Sequence, residues 1–217
     1  MSLDPSLSQQ PDPVRTRTIG ILFFPGVEEL DAIGPWEVLS YWTQHFPEDN
    51  WRAVCFSLDG APVTCAKGLT VQIEHAAADL PELDVLIHPG GRGTRVLLAD
   101  EPHLEWVREQ RAKVPLMASV CTGSLVYAAA GLLAGRPATT HWASLDRLRE
   151  LDPTIDVRDG ERFVADGDLL TSAGISAGID MSLYLVGHLV APWRAAAVRK
   201  GIEYDPQPPV FAEGAEG

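Results

Sequence analysis

A single cysteine, Cys121, stands where an apolar run gives way to a run of small residues, in PLMASVCTGSLVYAAAGLLAG (115–135). PLMASV reads as a buried strand and the stretch from Thr122 as a helix, so Cys121 falls on a sharp strand-to-helix turn. In such a nucleophile elbow the tip side chain is lifted clear of the sheet and the following N–H groups converge on the same space. The helix N-terminus adds positive potential, which predicts a thiol pKa below the ordinary ~8.5. Because the elbow forces the backbone, Cys121 is expected in a sparsely populated region of φ/ψ space. Cys55, inside an apolar strand, and Cys65, in a turn, read as inert buried thiols.

A thiol nucleophile needs a proton partner. Asp31 lies in an apolar context (Leu30, Ala32, Ile33) that disfavours a charged carboxylate, so a buried Asp31 would be paired or protonated. Spacing supports equally an N-cap role before a helix opening at Gly34-Pro35. Pro89-Gly90-Gly91 closes another strand and can bring backbone N–H groups close to a bound atom, or can simply end the strand. His141, in ATTHW, is a candidate to orient the cysteine or a satisfied core group.

The elements that must position these residues alternate. Strands are predicted at 18–24, 51–59, 69–75, 84–91 and 115–120, and helices at 35–44, 102–113, after Cys121, at 143–151 and at 176–190. A hairpin-like pair is predicted over 161–174 around Asp166-Gly167. This pattern gives an α/β fold, one domain with a mostly parallel sheet sandwiched by helices. Residues 1–17, with three prolines and no period, read as a flexible tail, the domain as 18–209, and 210–217 as a second tail. Trp36, Tyr41 and Trp42 suit either an apolar interface or the core.

The chain has 217 residues, 46% apolar and 22% charged, which accommodates one α/β domain. Its 30 Asp and Glu against 17 Lys and Arg give a net charge of -13, which repels nucleic acid and anionic lipid. No apolar run reaches the roughly 18 residues of a membrane span, and the N-terminus has no basic segment followed by an apolar one, so a cytoplasmic protein is expected. Three scattered cysteines do not make a disulfide framework. No spacing offers three or four convergent ligands, so no metal is expected.

Five segments in this order, GVEELDAIGPWEVL, DVLIHPGGRGT, ASVCTGSLVYAAAGLLAGRPATTHW, TSAGISAGIDMSLYLV and EYDPQPP, resemble the ThiJ/PfpI superfamily over about residues 18–209. The resemblance implies a flavodoxin-like fold of the class I glutamine amidotransferase type, with Cys121 as nucleophile, Asp31 as acid and Gly90-Gly91 as oxyanion-binding turn. It also places Ile175 beside the helix that packs against the nucleophile and Asp205 close to the site, and it implies a homodimer. Asp31 stands where the protease-like and glycation-repair branches have Glu, and Thr122 where the protease-like branch has His. Asp with Cys-Thr-Gly, ATTHW and GISAGID resembles instead the isonitrile-hydrating branch. That likeness implies cofactor-free hydration of an isonitrile to an N-substituted formamide through a thioimidate on Cys121, with Thr122 fixing the water or the acid. Its partners would be a small isonitrile and water. The same strings also resemble sensor domains of transcription regulators with a helix-turn-helix module behind them. No such module follows here, so a thiol-based redox or ligand sensor is the second reading and an amide or glycation-repair hydrolase the third.

Overall fold

The computed structural model describes residues 2–8 and 15–205. In chain order the elements are β1 (Arg17–Leu22), α1 (Glu29–His45), β2 (Trp51–Ser57), β3 (Val63–Thr64), β4 (Thr70–Val71), β5 (His75–Ala76), β6 (Val85–His88), α2 (Thr94–Leu97), α3 (Glu101–Lys113) and β7 (Leu116–Val120). They continue with α4 (Gly123–Ala129), β8 (Pro137–Ala138), α5 (Leu145–Leu151), β9 (Asp156–Val157), β10 (Phe163–Asp166), β11 (Leu169–Ser172), α6 (Ala177–Leu189) and α7 (Pro192–Gly201). Seven strands form one sheet in the order β10-β11-β7-β6-β1-β2-β5. Every neighbouring pair in it is parallel except the β10–β11 hairpin. β6 and β7 are buried along their whole length, as near-continuous apolar runs in a sheet covered on both faces should be. Among the described residues no helix is long and apolar enough to cross a membrane.

Register positions the site. Between β6 and β7, His88 pairs with Ser119, which sets Pro89-Gly90 beside Val120-Cys121. Between β11 and β7, Ser172 pairs with Val120, which brings Ala173-Gly174 to the other flank of Cys121. The chain leaves β1 toward β2 on one side and later returns to place β6 on the other, and the crevice at such a reversal is where open α/β sheets bind ligands.

Several elements depart from the sequence reading. α1 begins at Glu29, six residues before the predicted start, and runs through Gly34-Pro35. Pro35 cannot donate to the carbonyl four residues back, that of Asp31, yet tertiary packing holds the helix. A Cβ on Gly34 would lie 3.2 Å from Ile179 Cγ1, and one on Gly178 would lie 3.3 Å from Pro35 Cγ, so this is where α1 and α6 approach most closely. The strand predicted at 69–75 is two short pieces, because Thr70–Val71 pairs with β3 whereas His75–Ala76 pairs with β2. Trp42 is core, wholly buried with its Nε1–H donating to Asp49 (2.7 Å). Residues 2–8, read as part of a flexible tail, pack on the domain: Leu3 is buried, and Asp4 N–H donates to the Gly167 carbonyl (2.7 Å). One apolar side chain and the open backbone of a hairpin turn were enough to order that segment. The tail expected over 210–217 lies outside the described residues.

Candidate active site

Cys121 has φ 57°, the left-handed region, as the elbow requires. Such a backbone costs about 1–3 kcal/mol in a residue with a side chain, so its surroundings must hold it. They do so at both peptide groups. Cys121 N–H donates to the Ser172 carbonyl (3.0 Å), and the Cys121 carbonyl accepts from Thr140 Oγ1 (2.9 Å) and Ser124 Oγ (3.1 Å). Gly123 lets α4 start hard against β6, since a Cβ there would meet the His88 carbonyl oxygen at 2.2 Å.

Asp31 lies in the first turn of α1 and is wholly buried, so the N-cap reading does not hold. Its Oδ2 accepts from Gly90 N–H (3.2 Å), and the carboxyl lies close enough to the Cys121 thiol for the two to influence each other's ionisation. Gly91 N–H donates to Thr122 Oγ1 (3.0 Å), and Thr94 Oγ1 donates to the Gly91 carbonyl (2.7 Å). This corrects the expectation for Gly90 and Gly91: both N–H groups of the glycine turn are committed to protein side chains. The turn holds Asp31 and Thr122 in place.

Burial drives the titration of the pair. It raises the Asp31 carboxyl to about 7, against the opposing pull of the nearby Cys121 thiol and the Gly90 N–H. It also raises the Cys121 thiol, helped by the neighbouring Asp31 charge, whereas the Thr122 N–H that faces the sulfur acts the other way. The lowered thiol pKa expected from the sequence is therefore overturned. α4 is only 7 residues long, and a thiol 6% exposed has lost more solvation than that helix end restores. No imidazolium compensates beneath the turn, because burial pushes His88 down to about 3 and its neighbour His103 is lowered too. The proton consequently belongs to the Asp31–Cys121 pair rather than to either group.

Stability follows with a definite sign. A carboxyl raised from ~3.9 to about 7 stabilises the fold below pH 4 relative to above pH 7, because the unfolded state gives up the proton first. At about 1.4 kcal/mol per pKa unit, ionised Asp31 costs the fold up to about 4 kcal/mol. Asp31→Asn, which keeps an acceptor for Gly90 N–H, is expected to resist denaturant better than the natural chain. Its advantage should grow from pH 5.5 through 7 and then level off, as read by urea unfolding at several pH values.

An open cavity of about 770 Å³ reaches Cys121, and Gly91, Thr122, His141 and Ile175 line it. His141 Nδ1 accepts from Ala143 N–H (3.3 Å), so the ring caps the short turn that follows it. Asp205 does not line the cavity; it is exposed at the end of the described chain, beyond α7. Two residues escaped the sequence reading. Thr94 closes the hydrogen-bond chain between the Gly91 carbonyl and Thr122, and Gly174 leaves the thiol its room. A Cβ on Gly174 would stand 2.8 Å from Cys121 Sγ and 2.5 Å from His141 Cδ2. The SAG string that follows β11 was the available signal for Gly174; nothing in the sequence singles out Thr94.

The sequence and the fold are both matched by known proteins. Residues 17–188 match the model of the DJ-1/PfpI family. The chain belongs to the DJ-1/PfpI family. Among curated DJ-1/PfpI relatives, the isonitrile hydratase of Pseudomonas putida is 44% identical over 191 residues, 88% of this chain and 80% of that protein. The HTH-type transcriptional regulator CdhR of Pseudomonas aeruginosa is 34% identical over 178 residues, which are 82% of this chain and 52% of the regulator, so the chain spans about half its length. Among solved structures, a THiJ/PfpI family protein from Pseudomonas syringae superposes with a TM-score of 0.80 at 30% identity, covering 99% of this chain and 85% of that one. Drosophila melanogaster DJ-1beta shares the fold, with a TM-score of 0.75 at 22% identity over 88% of this chain and 99% of that one.

Proposed function

We propose that the protein hydrates an isonitrile, R–NC, to the N-substituted formamide, with Cys121 as nucleophile and Asp31 as the proton carrier. The observation that carries this reading is the buried thiol–carboxyl pair, which holds one transferable proton while both N–H groups of the adjoining glycine turn are engaged elsewhere. The terminal carbon of an isonitrile accepts a proton and a nucleophile in turn, and no oxyanion develops as it does so. In the first step the thiol proton passes through Asp31 to that carbon while the sulfur bonds to it, giving a thioimidate, Cys–S–CH=N–R. Water then adds to the C=N bond, with Asp31 taking a proton from the water and returning it to nitrogen. Collapse of the tetrahedral adduct breaks the C–S bond and releases R–NH–CHO, and the hydroxyl proton goes back to the pair. Thr122, whose backbone N–H faces the sulfur, steadies the thiolate as it forms and leaves. The linear end of an isonitrile suits a sulfur only 6% exposed, and a relative 44% identical is an isonitrile hydratase.

Amide hydrolysis needs donors for a tetrahedral oxyanion. The committed N–H groups of Gly90 and Gly91 weigh against it. A ligand-sensing role draws support from the regulator relatives, and turnover separates it from catalysis. Purified protein with n-butyl isocyanide should form one N-butylformamide per isonitrile lost, followed by the disappearance of the isonitrile infrared stretch. Binding without formamide would replace the enzyme reading by the sensor one.

Gly90→Ala tests the turn. Its Cβ would lie 2.5 Å from Thr122 N, 2.6 Å from Thr122 Oγ1 and 2.9 Å from Asp31 Oδ2. Thr122 N is backbone and cannot swing aside, so the turn itself must shift, and with it the Gly90 N–H that holds Asp31. A fall in kcat of about 10²-fold is expected for a misplacement of that order, with the circular dichroism of the folded chain retained.

A further inference from the structure

We propose that the mouth of the Cys121 cavity is an anion subsite and that the isonitrile taken there carries a carboxylate. The reacting end rests on the isonitrile reading; the anion preference of the mouth does not.

Acids outnumber bases 30 to 17 in this chain, and most of its described basic side chains are held in ion pairs. The cavity that reaches Cys121 is nevertheless lined by Arg92, Arg95 and Arg147. Among the described residues the guanidinium groups of Arg92 and Arg95 have no carboxylate or hydrogen-bond partner. The acid that lines the same cavity, Glu28, is paired with Lys67. Arg147 pairs only with Glu150 at 3.0 Å, one turn away, with both side chains more than half exposed. Such a pair contributes little and yields readily to a better anion.

The two unpaired arginines are also tied to the reacting end. They flank Thr94, which is buried and bonds the Gly91 carbonyl (2.7 Å) and Thr122 Oγ1 (3.1 Å). The segment that carries the cations is thus fixed to the residue beside the nucleophile. The same cavity wall includes the apolar side chains of Leu98, Leu125 and Ile175. The cavity thus combines the Cys121 thiol, apolar wall residues and three guanidinium groups, which pair with carboxylates in a planar two-point geometry. A short apolar chain with an isonitrile at one end and a carboxylate at the other offers one group for each of these features.

Two readouts test this in the full chain. The first is alkylation of Cys121 by iodoacetate against iodoacetamide, quantified on the Cys121 peptide by mass spectrometry, which needs no isonitrile turnover. The ratio of the two rates should fall about 10-fold in the Arg92→Gln/Arg95→Gln double variant, and should fall in the natural chain as salt is raised to 0.5 M. The second is the preference, in kcat/KM, for isocyanoacetate over its methyl ester, which should drop about 10-fold in the same variant. An alkylation ratio indifferent to both the variant and salt overturns the subsite. A ratio that falls while neither isonitrile is hydrated keeps the subsite and overturns the isonitrile reading instead.

Discussion

Cys121→Ala is expected to abolish formamide production, lowering kcat/KM by about 10³-fold or more while the chain stays folded. The sulfur forms the bond that splits hydration into two steps, and no other side chain near the cavity substitutes for it. Cys55 and Cys65 are buried and their thiols are raised by desolvation, Cys55 to about 12. Neither lines the cavity. The fold should tolerate the change, because Ala keeps the Cβ, and the backbone at 121 is held by Ser172, Thr140 and Ser124 rather than by the sulfur. Steady-state turnover of n-butyl isocyanide, alongside a thermal melt of both proteins, checks it. Undiminished turnover in a folded Cys121→Ala would remove covalent catalysis from the account.

Asp31→Asn is expected to lower kcat/KM by about 10²-fold or more and to erase a pH dependence. The sign follows from the proton count. Below about pH 7 the Asp31 carboxyl holds its own proton in addition to that of the thiol, so nothing accepts the thiol proton and attack stalls. Above it the pair holds a single proton, which can reside on Asp31 as the thiolate attacks and then pass to the isonitrile carbon. In the natural protein kcat/KM should therefore rise with pH through about 7 and reach a plateau. Asn can accept from Gly90 N–H but cannot relay a proton, so its residual rate should cross that range without the rise. Persistence of the same limb in Asp31→Asn would assign it to another group. The same substitution is expected to stabilise the fold at high pH, so function and stability move in opposite directions at one buried carboxyl, as active sites commonly require.

Cys121 was legible because strand-elbow-helix is a local pattern: an apolar run, one reactive residue and small residues after it. The parallel sheet was legible for a related reason, since buried strands such as 115–120 and their helices announce themselves by composition over a few residues. What the sequence hid depends on contacts between distant segments. The direction of the Cys121 shift turned on how deeply the thiol is buried and on Asp31, 90 positions away, neither of which a helix-dipole argument contains. Gly90 and Gly91 looked like oxyanion donors because a glycine turn exposes N–H groups in isolation; only the packed structure puts Asp31 Oδ2 and Thr122 Oγ1 against them. α1 overran its predicted start because packing on α6 outweighed the local penalty of Pro35. α7, opened by Pro192, lies in a stretch with no assigned element, and the ordered Leu3 was lost in a segment whose composition is otherwise that of a tail.

The central claim is a covalent thioimidate on Cys121, and acid-quenched single turnover with intact-protein and peptide mass spectrometry reads it directly. With enzyme in slight excess over isonitrile, the account predicts a transient species heavier by one whole isonitrile molecule. The added mass should map to the Cys121 peptide, decay as formamide appears, and persist longer in Asp31→Asn, where water addition lacks its base. Formamide accumulating at the full rate with no such adduct at any quench time, or an adduct mapping to Cys55 or Cys65, would contradict it.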